Sequence, residues 1–220
     1  MEIKILTEAQ GAFLAKAGGN KHIRQTFYLT GGTALTAFYL HHRYSEDLDF
    51  FSEKEIDILP VDVFVKETGK ALGAQSVDYQ SNYNRNLFFL SLPDKSVLKV
   101  EFTHFPFPRI EHGLTEDGVT LDSALDIAVN KLFTIYQRTK ARDYIDLYAI
   151  CKERGFTLSD LAEKARMKFD WHIDPLQLGT QFIKAKDAVD YPRMIQKIEP
   201  KEWIGFFESE AKKLKPQIID

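Results

Sequence analysis

Asp47 and Asp49, two residues apart, are the side chains in this sequence best suited to chemistry. On an extended segment, alternate side chains share a face, so two carboxylates at that spacing can hold one hard divalent cation. Ahead of them stands Gly31-Gly32-Thr33. Glycines there permit positive φ and let a ligand approach the backbone. A helix that starts at them turns free N–H groups and its dipole toward an anion, and the Thr33 hydroxyl adds a donor. Donors for phosphate oxygens and a carboxylate pair for a cation therefore fall within one short unit, the requirement of metal-assisted transfer of a phosphate group. A glycine turn or a pair of solvated acids is commonplace by itself. The inference rests on their joint order: strand, Gly-Gly-Thr, helix, Arg43-x-Ser45, then Asp-x-Asp.

The elements that position these residues follow from apolar spacing. Phe27-Tyr28-Leu29 reads as a strand end, Thr33–Leu40 as a helix, and Asp47–Phe51 as a strand with Asp47 and Asp49 on one face and Leu48 and Phe50 on the other. Before them, Thr7-Glu8-Ala9-Gln10 is a capping-box signature, and Gly18-Gly19 closes the helix that it opens. Val61–Ala74 reads as an amphipathic helix. Leu87–Leu92 and Val97–Thr103 read as strands joined through Pro93-Asp94-Lys95. From Leu121 the pattern becomes helical, over roughly Ser123–Arg138, Ala141–Glu153, Ser159–Lys168, Pro175–Ala185 and Pro200–Lys213. The shift places a boundary between Gly113 and Thr120, giving a mixed α/β part over 1–118 and a helical part over 119–220.

Further candidates lie on these elements. In the strand Val97–Thr103, Leu98, Val100 and Phe102 share one face, while Lys99, Glu101 and Thr103 share the other. Glu101 is then either a third carboxylate beside the Asp-x-Asp strand or a polar residue on a solvated face. Lys131 flanks the stripe Leu125, Val129, Leu132 and Tyr136, together with Ile127, Ile135 and Arg138. A lysine there snorkels to solvent or points at an anion. Arg142 and Asp146 are four apart on a helix and suited to pair. The loop Phe105-Pro106-Phe107-Pro108-Arg109 reads as a rigid structural turn more than a stacking surface. The histidines do not group for zinc; His41 and His42 end the first site helix, where a cation suits the dipole.

The bulk composition excludes several classes. With 44% apolar and 28% charged residues over 220 positions, the chain suits a globular protein with a sizeable core. A formal charge of −3 disfavours an extended nonspecific nucleic-acid binder. The single cysteine, Cys151, allows no internal disulfide, and its apolar neighbours mark it as core. Glu2, Lys4 and Glu8 interrupt any signal-peptide pattern, and no apolar run is long enough to span a bilayer, so the expected location is cytoplasmic with no membrane partner.

From Tyr28 to Ile150 the chain resembles the nucleotidyltransferase superfamily, and within it the AbiEii/AbiGii-type toxin family. The first motif is Gly31-Gly32-Thr33 with Asp47-Leu48-Asp49; the downstream ones are Asp126–Leu132 with Lys131 and the helix Arg142-Asp143-Tyr144-Ile145-Asp146. The resemblance implies a nucleotidyltransferase-like α/β (α+β) core, a small mixed twisted sheet flanked by helices and followed by a helical part. It implies Mg2+ or Mn2+ held by Asp47, Asp49 and Glu101, with Glu101 also as a possible base. The substrate would be an NTP held by Gly31, Gly32, Thr33, Arg43, Ser45, Lys131 and Arg142, with Asp143 a polar active-site residue. It also implies a tRNA or protein acceptor, a cognate antitoxin, and a place in a toxin–antitoxin or abortive-infection system. The residues alone leave open a non-catalytic nucleotide- or protein-binding module, or a phosphotransferase using the same metal site.

Overall fold

A computed structural model describes residues 5–216; Glu2 and Lys4, used above against a signal peptide, lie outside them. The chain forms two compact units, each interrupted in sequence. The first takes the residues through Tyr39, Ser45–Pro108 and His112–Ser123; the second takes Leu40–Tyr44, Arg109–Glu111 and the chain from Ala124 onward.

The first unit is built on a five-stranded mixed sheet. Helix α1 (Glu8–Gly19) opens with the expected capping box, the Thr7 hydroxyl accepting from Gln10 N while the Gln10 side chain accepts from Thr7 N. Helix α2 (Lys21–Thr26) is capped by Asn20. Then follow β1 (Tyr28–Thr30), α3 (Gly31–Leu35) continuing as a π-helical turn over Thr36–Leu40, β2 (Leu48–Ser52) and α4 (Ile58–Ala71). Strands β3 (Ser76–Asn82), β4 (Arg85–Ser91) and β5 (Val97–His104) complete the sheet in the order β1-β2-β5-β4-β3. The β2–β5 pair is parallel and the others are antiparallel. A short hairpin, β6 (Thr115–Glu116) with β7 (Val119–Thr120), follows.

Alternation decides which sheet face is core. Leu48, Phe50, Phe88, Leu90, Leu98, Val100 and Phe102 are buried on one side. Phe50 stacks on Phe102 at 5.1 Å, and Phe13 of α1 meets Phe50 at 6.2 Å and Phe64 of α4 at 5.4 Å. The opposite face carries the polar residues of β2 and β5.

The second unit is helical: α5 (Ala124–Gln137), α6 (Ala141–Arg154), α7 (Leu158–Phe169), α8 (Pro175–Ile183) with a 3-10 turn over Lys184–Asp187, and α9 (Pro200–Leu214). Helix α5 packs against α6, α7 and α8, so its flank is buried as well as its main stripe. Ile127 and Ile135 are therefore core, whereas Leu125 is only half-buried. Cys151 is buried as expected, and burial pushes its thiol up to about 12. Among the described residues no helix is long and apolar enough to cross a membrane.

Strand β3, helix α2 and the β6–β7 hairpin escape the sequence pattern. Strand β3 is exposed at every position but Val77 and shows no apolar period; only its pairing with β4 makes it a strand. Helix α2 buries Ile23 alone.

Candidate active site

The parallel register of β2 and β5 sets Asp49 directly beside Glu101. Paired residues on neighbouring strands share a face, so the two carboxylates lie on the polar side of the sheet. Asp47 lies one residue before β2, and its carboxylate Oδ2 is 2.8 Å from Lys99 Nζ. That contact follows from the same register: two steps back from Asp49 and Glu101 stand Asp47 and Lys99. Glu101 is 4% exposed despite its polar face. Arg85 of β4 binds it bidentately, Nε to Oε1 at 2.7 Å and Nη2 to Oε2 at 2.5 Å, and the Thr103 hydroxyl donates to Oε1 at 2.6 Å. Burial pushes the Glu101 carboxyl up, but the hydrogen bonds from Arg85 and Thr103 and the nearby cationic charge outweigh it and hold the group below the usual range.

The glycine turn is fitted to Asp49. Gly31 has φ +72°, in the left-handed region, and a Cβ placed on it would lie 2.6 Å from Asp49 Oδ2. Glycine is therefore required twice here, for the backbone angle and for room beside the carboxylate. The positive φ falls at Gly31; Gly32 lies within α3. Thr30 is the N-cap of α3 without accepting from its first turn; its hydroxyl donates to Asp122 at 2.6 Å. The Thr33 hydroxyl is buried and donates to the Asp47 carbonyl, which ties the start of the carboxylate strand to the helix. Gln10 of α1 reaches the same segment, donating to the carbonyls of Ser45 at 2.9 Å and Glu46 at 3.0 Å.

These residues fit a divalent cation in part. Asp47 and Asp49 supply two carboxylates on one face, Asp49 against the Gly31 backbone. That suits Mg2+, which takes one or two carboxylates and fills its remaining positions with water and substrate phosphates. The expected three-carboxylate set is not assembled: among the described residues no group of three or more His, Cys, Asp or Glu is arranged to hold a metal. Both Glu101 oxygens are engaged by Arg85, although the residue is paired with Asp49 in register.

In the second unit the downstream candidates form a buried ion cluster. Lys131 Nζ lies 2.8 Å from Asp143 Oδ1 and 2.7 Å from Asp146 Oδ2. Asp146, fully buried, also receives Arg43 Nε at 2.6 Å, Arg43 Nη2 at 2.7 Å and His42 Nε2 at 2.9 Å. Arg138 completes the cluster on Asp143 at 2.9 Å. Burial alone raises both carboxyls, yet the charges of Arg43 and Lys131 hold Asp146 well below its usual value, and Lys131 with Arg138 lowers Asp143. Arg43, expected near phosphate, thus spends its guanidinium on Asp146 and on the Tyr44 carbonyl. His42 is a buried partner of Asp146, not a helix-end cation in solvent. Arg142 is exposed and does not pair with Asp146, because Arg43 and Lys131 already occupy that carboxylate. Asp126 and Lys168 form a second buried pair at 2.6 Å, with Asp126 also accepting from Ile110 N and Glu111 N.

Sequence reasoning missed Arg85 and Lys168, gave Gln10 only a capping role, and gave Asp126 only a place in the downstream motif. Only Arg85 had a local signal, a charge opening the strand Arg85–Ser91 that becomes informative once β4 and β5 are paired.

A glycine turn that admits a carboxylate, set against a mixed sheet whose parallel neighbours carry acids side by side, defines a nucleotidyltransferase fold. Solved structures share it. JHP933 from Helicobacter pylori aligns at TM-score 0.60 with 21% identity, covering 96% of this chain and 90% of that one. MenT4, a nucleotidyltransferase toxin from Mycobacterium tuberculosis H37Rv, aligns at TM-score 0.54 with 16% identity, covering 94% and 84%. An uncharacterized protein of Aquifex aeolicus (strain VF5) is 29% identical over 192 residues, 84% of this chain and 86% of its own length. Residues 13–209 match the family model described as nucleotidyl transferase AbiEii toxin, type IV toxin–antitoxin system. The chain belongs to that family and is an enzyme of the nucleotidyltransferase class.

Proposed function

We propose that this protein is the toxin of a toxin–antitoxin or abortive-infection pair, acting in the cytoplasm. It transfers a nucleotide from an NTP to an RNA acceptor such as tRNA in a magnesium-dependent reaction. The observation that carries the reading is the Gly31–Asp49 fit: a positive-φ glycine with its missing Cβ 2.6 Å from the carboxylate oxygen. A cation on the Asp49 carboxylate would therefore lie close to the glycine backbone proposed to hold phosphate.

In this reading the N–H groups at Gly31 and Gly32 hold triphosphate oxygens, as helix N-termini do. Ser45 lies on the segment clipped by Gln10. Asp47 and Asp49 hold the cation, which supplies neutralisation of the phosphate charge and polarisation of the attacked phosphoryl group. Thr33 positions Asp47 through its carbonyl. The acceptor hydroxyl attacks the α-phosphorus, a P–O bond to the acceptor forms, and the bond to the departing pyrophosphate breaks. Glu101, ionised and fixed by Arg85 and Thr103, is the carboxylate nearest in register to take the hydroxyl proton. Within the second unit Lys131 bridges Asp143 at 2.8 Å and Asp146 at 2.7 Å. Arg43 orders that cluster in place of touching phosphate, and Arg142 is left as an exposed cation for an anionic substrate.

The test is parallel incubation of the protein with magnesium, total tRNA and NTP labelled at the α or the γ position. Label entering RNA from the α position alone, and lost in Asp49→Asn, is the expected result. Transfer of γ label makes the protein a phosphotransferase. No label in any acceptor, protein included, favours a binding module and overturns the reading.

A further inference from the structure

On β2 and β5, with the residue just before β2, the polar sheet face of the first unit carries the carboxylates Asp47, Asp49 and Glu101, and beside them the cations Lys99 and, from β4, Arg85. Both cations are already engaged with acids, but in different ways. Arg85 makes a bidentate pair with a carboxylate that is 4% exposed and further held by Thr103. A planar guanidinium matched to a buried carboxylate is a fixed arrangement. Lys99 makes one contact, Nζ to Asp47 Oδ2 at 2.8 Å, with side-chain exposures of 27% and 32% for the two partners. A single, part-exposed ion pair contributes little to stability and opens readily. Its ammonium is a compact charge on a flexible stem. Lys99 thus occupies the carboxylate that the proposed reaction needs for its cation.

We propose that Lys99 is an exchangeable counter-ion and a phosphate ligand of this site. In the free protein it neutralises Asp47; when Asp47 takes up a divalent cation, Lys99 passes to an oxygen of the bound triphosphate. The exchange is favourable because a metal–triphosphate brings both signs of charge. The acid gains the cation and the lysine gains the phosphate, so each keeps an opposite charge beside it. Arg85 does not exchange, and its bidentate pair with Glu101 stays in place. The inference rests on the Asp47–Asp49 reading of the site.

The two halves of the exchange predict opposite effects of one substitution, which a simple surface ion pair does not. In Lys99→Met without nucleotide, Asp47 has no competing ammonium, so Mn2+ measured by the loss of its free-ion EPR signal should bind roughly three- to tenfold tighter. In the same variant, calorimetric binding of α,β-methylene nucleoside triphosphates in magnesium should weaken by about tenfold or more, the loss of a charge-assisted phosphate contact. Lys99→Gln should behave alike, and the thermal midpoint of both should stay near wild type, because the pair is part-exposed. Unchanged Mn2+ affinity, unchanged triphosphate affinity, or the same direction for both overturns the exchange. The underlying site is tested separately with Asp49→Asn, which should lose Mn2+ binding. If it retains that binding, or wild type binds no Mn2+, the two-aspartate site fails and the exchange with it. If Asp49→Asn loses Mn2+ while Lys99→Met is neutral, only the exchange fails.

Discussion

Replacing Lys131 with methionine keeps the aliphatic stem of the side chain and removes only its charge. The lysine ammonium bridges Asp143 at 2.8 Å and Asp146 at 2.7 Å, and both carboxylates are almost wholly buried. Breaking a buried ion pair by removing one partner costs about 3–5 kcal/mol, because the remaining charge is left uncompensated. Here the remainder is only partly stranded. Asp146 keeps a bidentate Arg43 and a contact with His42, and Asp143 keeps Arg138, although that arginine is half-exposed. The net destabilisation should therefore be about 2–4 kcal/mol, below the full range. For a chain of this size that is a fall of roughly 4–16 °C in the thermal midpoint. The two tryptophans, Trp171 and Trp203, both belong to the second unit, and Trp203 is fully buried and stacks with Tyr144 of α6 at 6.0 Å. Tryptophan fluorescence during thermal or urea unfolding thus reports the unit that holds the cluster. Arg142→Ala, exposed on the same helix, should change stability by no more than about 0.5 kcal/mol. A Lys131→Met midpoint within about 1 °C of wild type refutes the argument that this lysine neutralises the two buried aspartates.

Three further outcomes are expected. Gly31→Ala should cost about 1–2 kcal/mol for a left-handed φ and weaken Mn2+ binding by pushing the Asp49 carboxylate aside; EPR and circular-dichroism melting check both, and normal Mn2+ affinity counts against the fit. Arg85→Gln should destabilise the first unit by roughly 1–2 kcal/mol, a figure discounted because the arginine is about half-exposed, and should let the Glu101 carboxyl rise as its burial is opposed by Thr103 and Lys99 alone; a carbonyl-detected NMR titration reads that rise. Acid should weaken the second unit in a defined window. The Asp143 and Asp146 carboxyls are depressed in the folded state, so their contribution is complete above the unfolded carboxylate value near pH 4 and is lost as pH falls below it through the folded values; the fluorescence midpoint should drop there, less steeply in Asp146→Asn.

Much of this protein was legible before any tertiary contact was known. Alternation assigned Leu48 and Phe50 to the core and Asp49 to the opposite face, and did the same for Leu98, Val100 and Phe102 against Lys99 and Glu101. The capping box at Thr7 and the helical spacing from Ala124 onward located the helices within a residue or two. Local period and local hydrogen bonding set these features, so they are written in neighbouring residues. Only the folded chain decided the partners. The parallel register of β2 and β5 put Asp49 beside Glu101 and Asp47 beside Lys99, and the β4–β5 pairing brought Arg85 onto the third acid. Arg43 and Asp146 meet across 103 positions, and Asp126 and Lys168 across 42. With 29 lysines and arginines and 32 aspartates and glutamates, spacing along the chain cannot select such pairs, because a charge has no periodicity that names its partner. Strand β3 makes the same point for the backbone: with one half-buried side chain, it exists through its ladder with β4. The chemistry-bearing residues are thus a property of sequence, and their states of charge and engagement are a property of long-range packing.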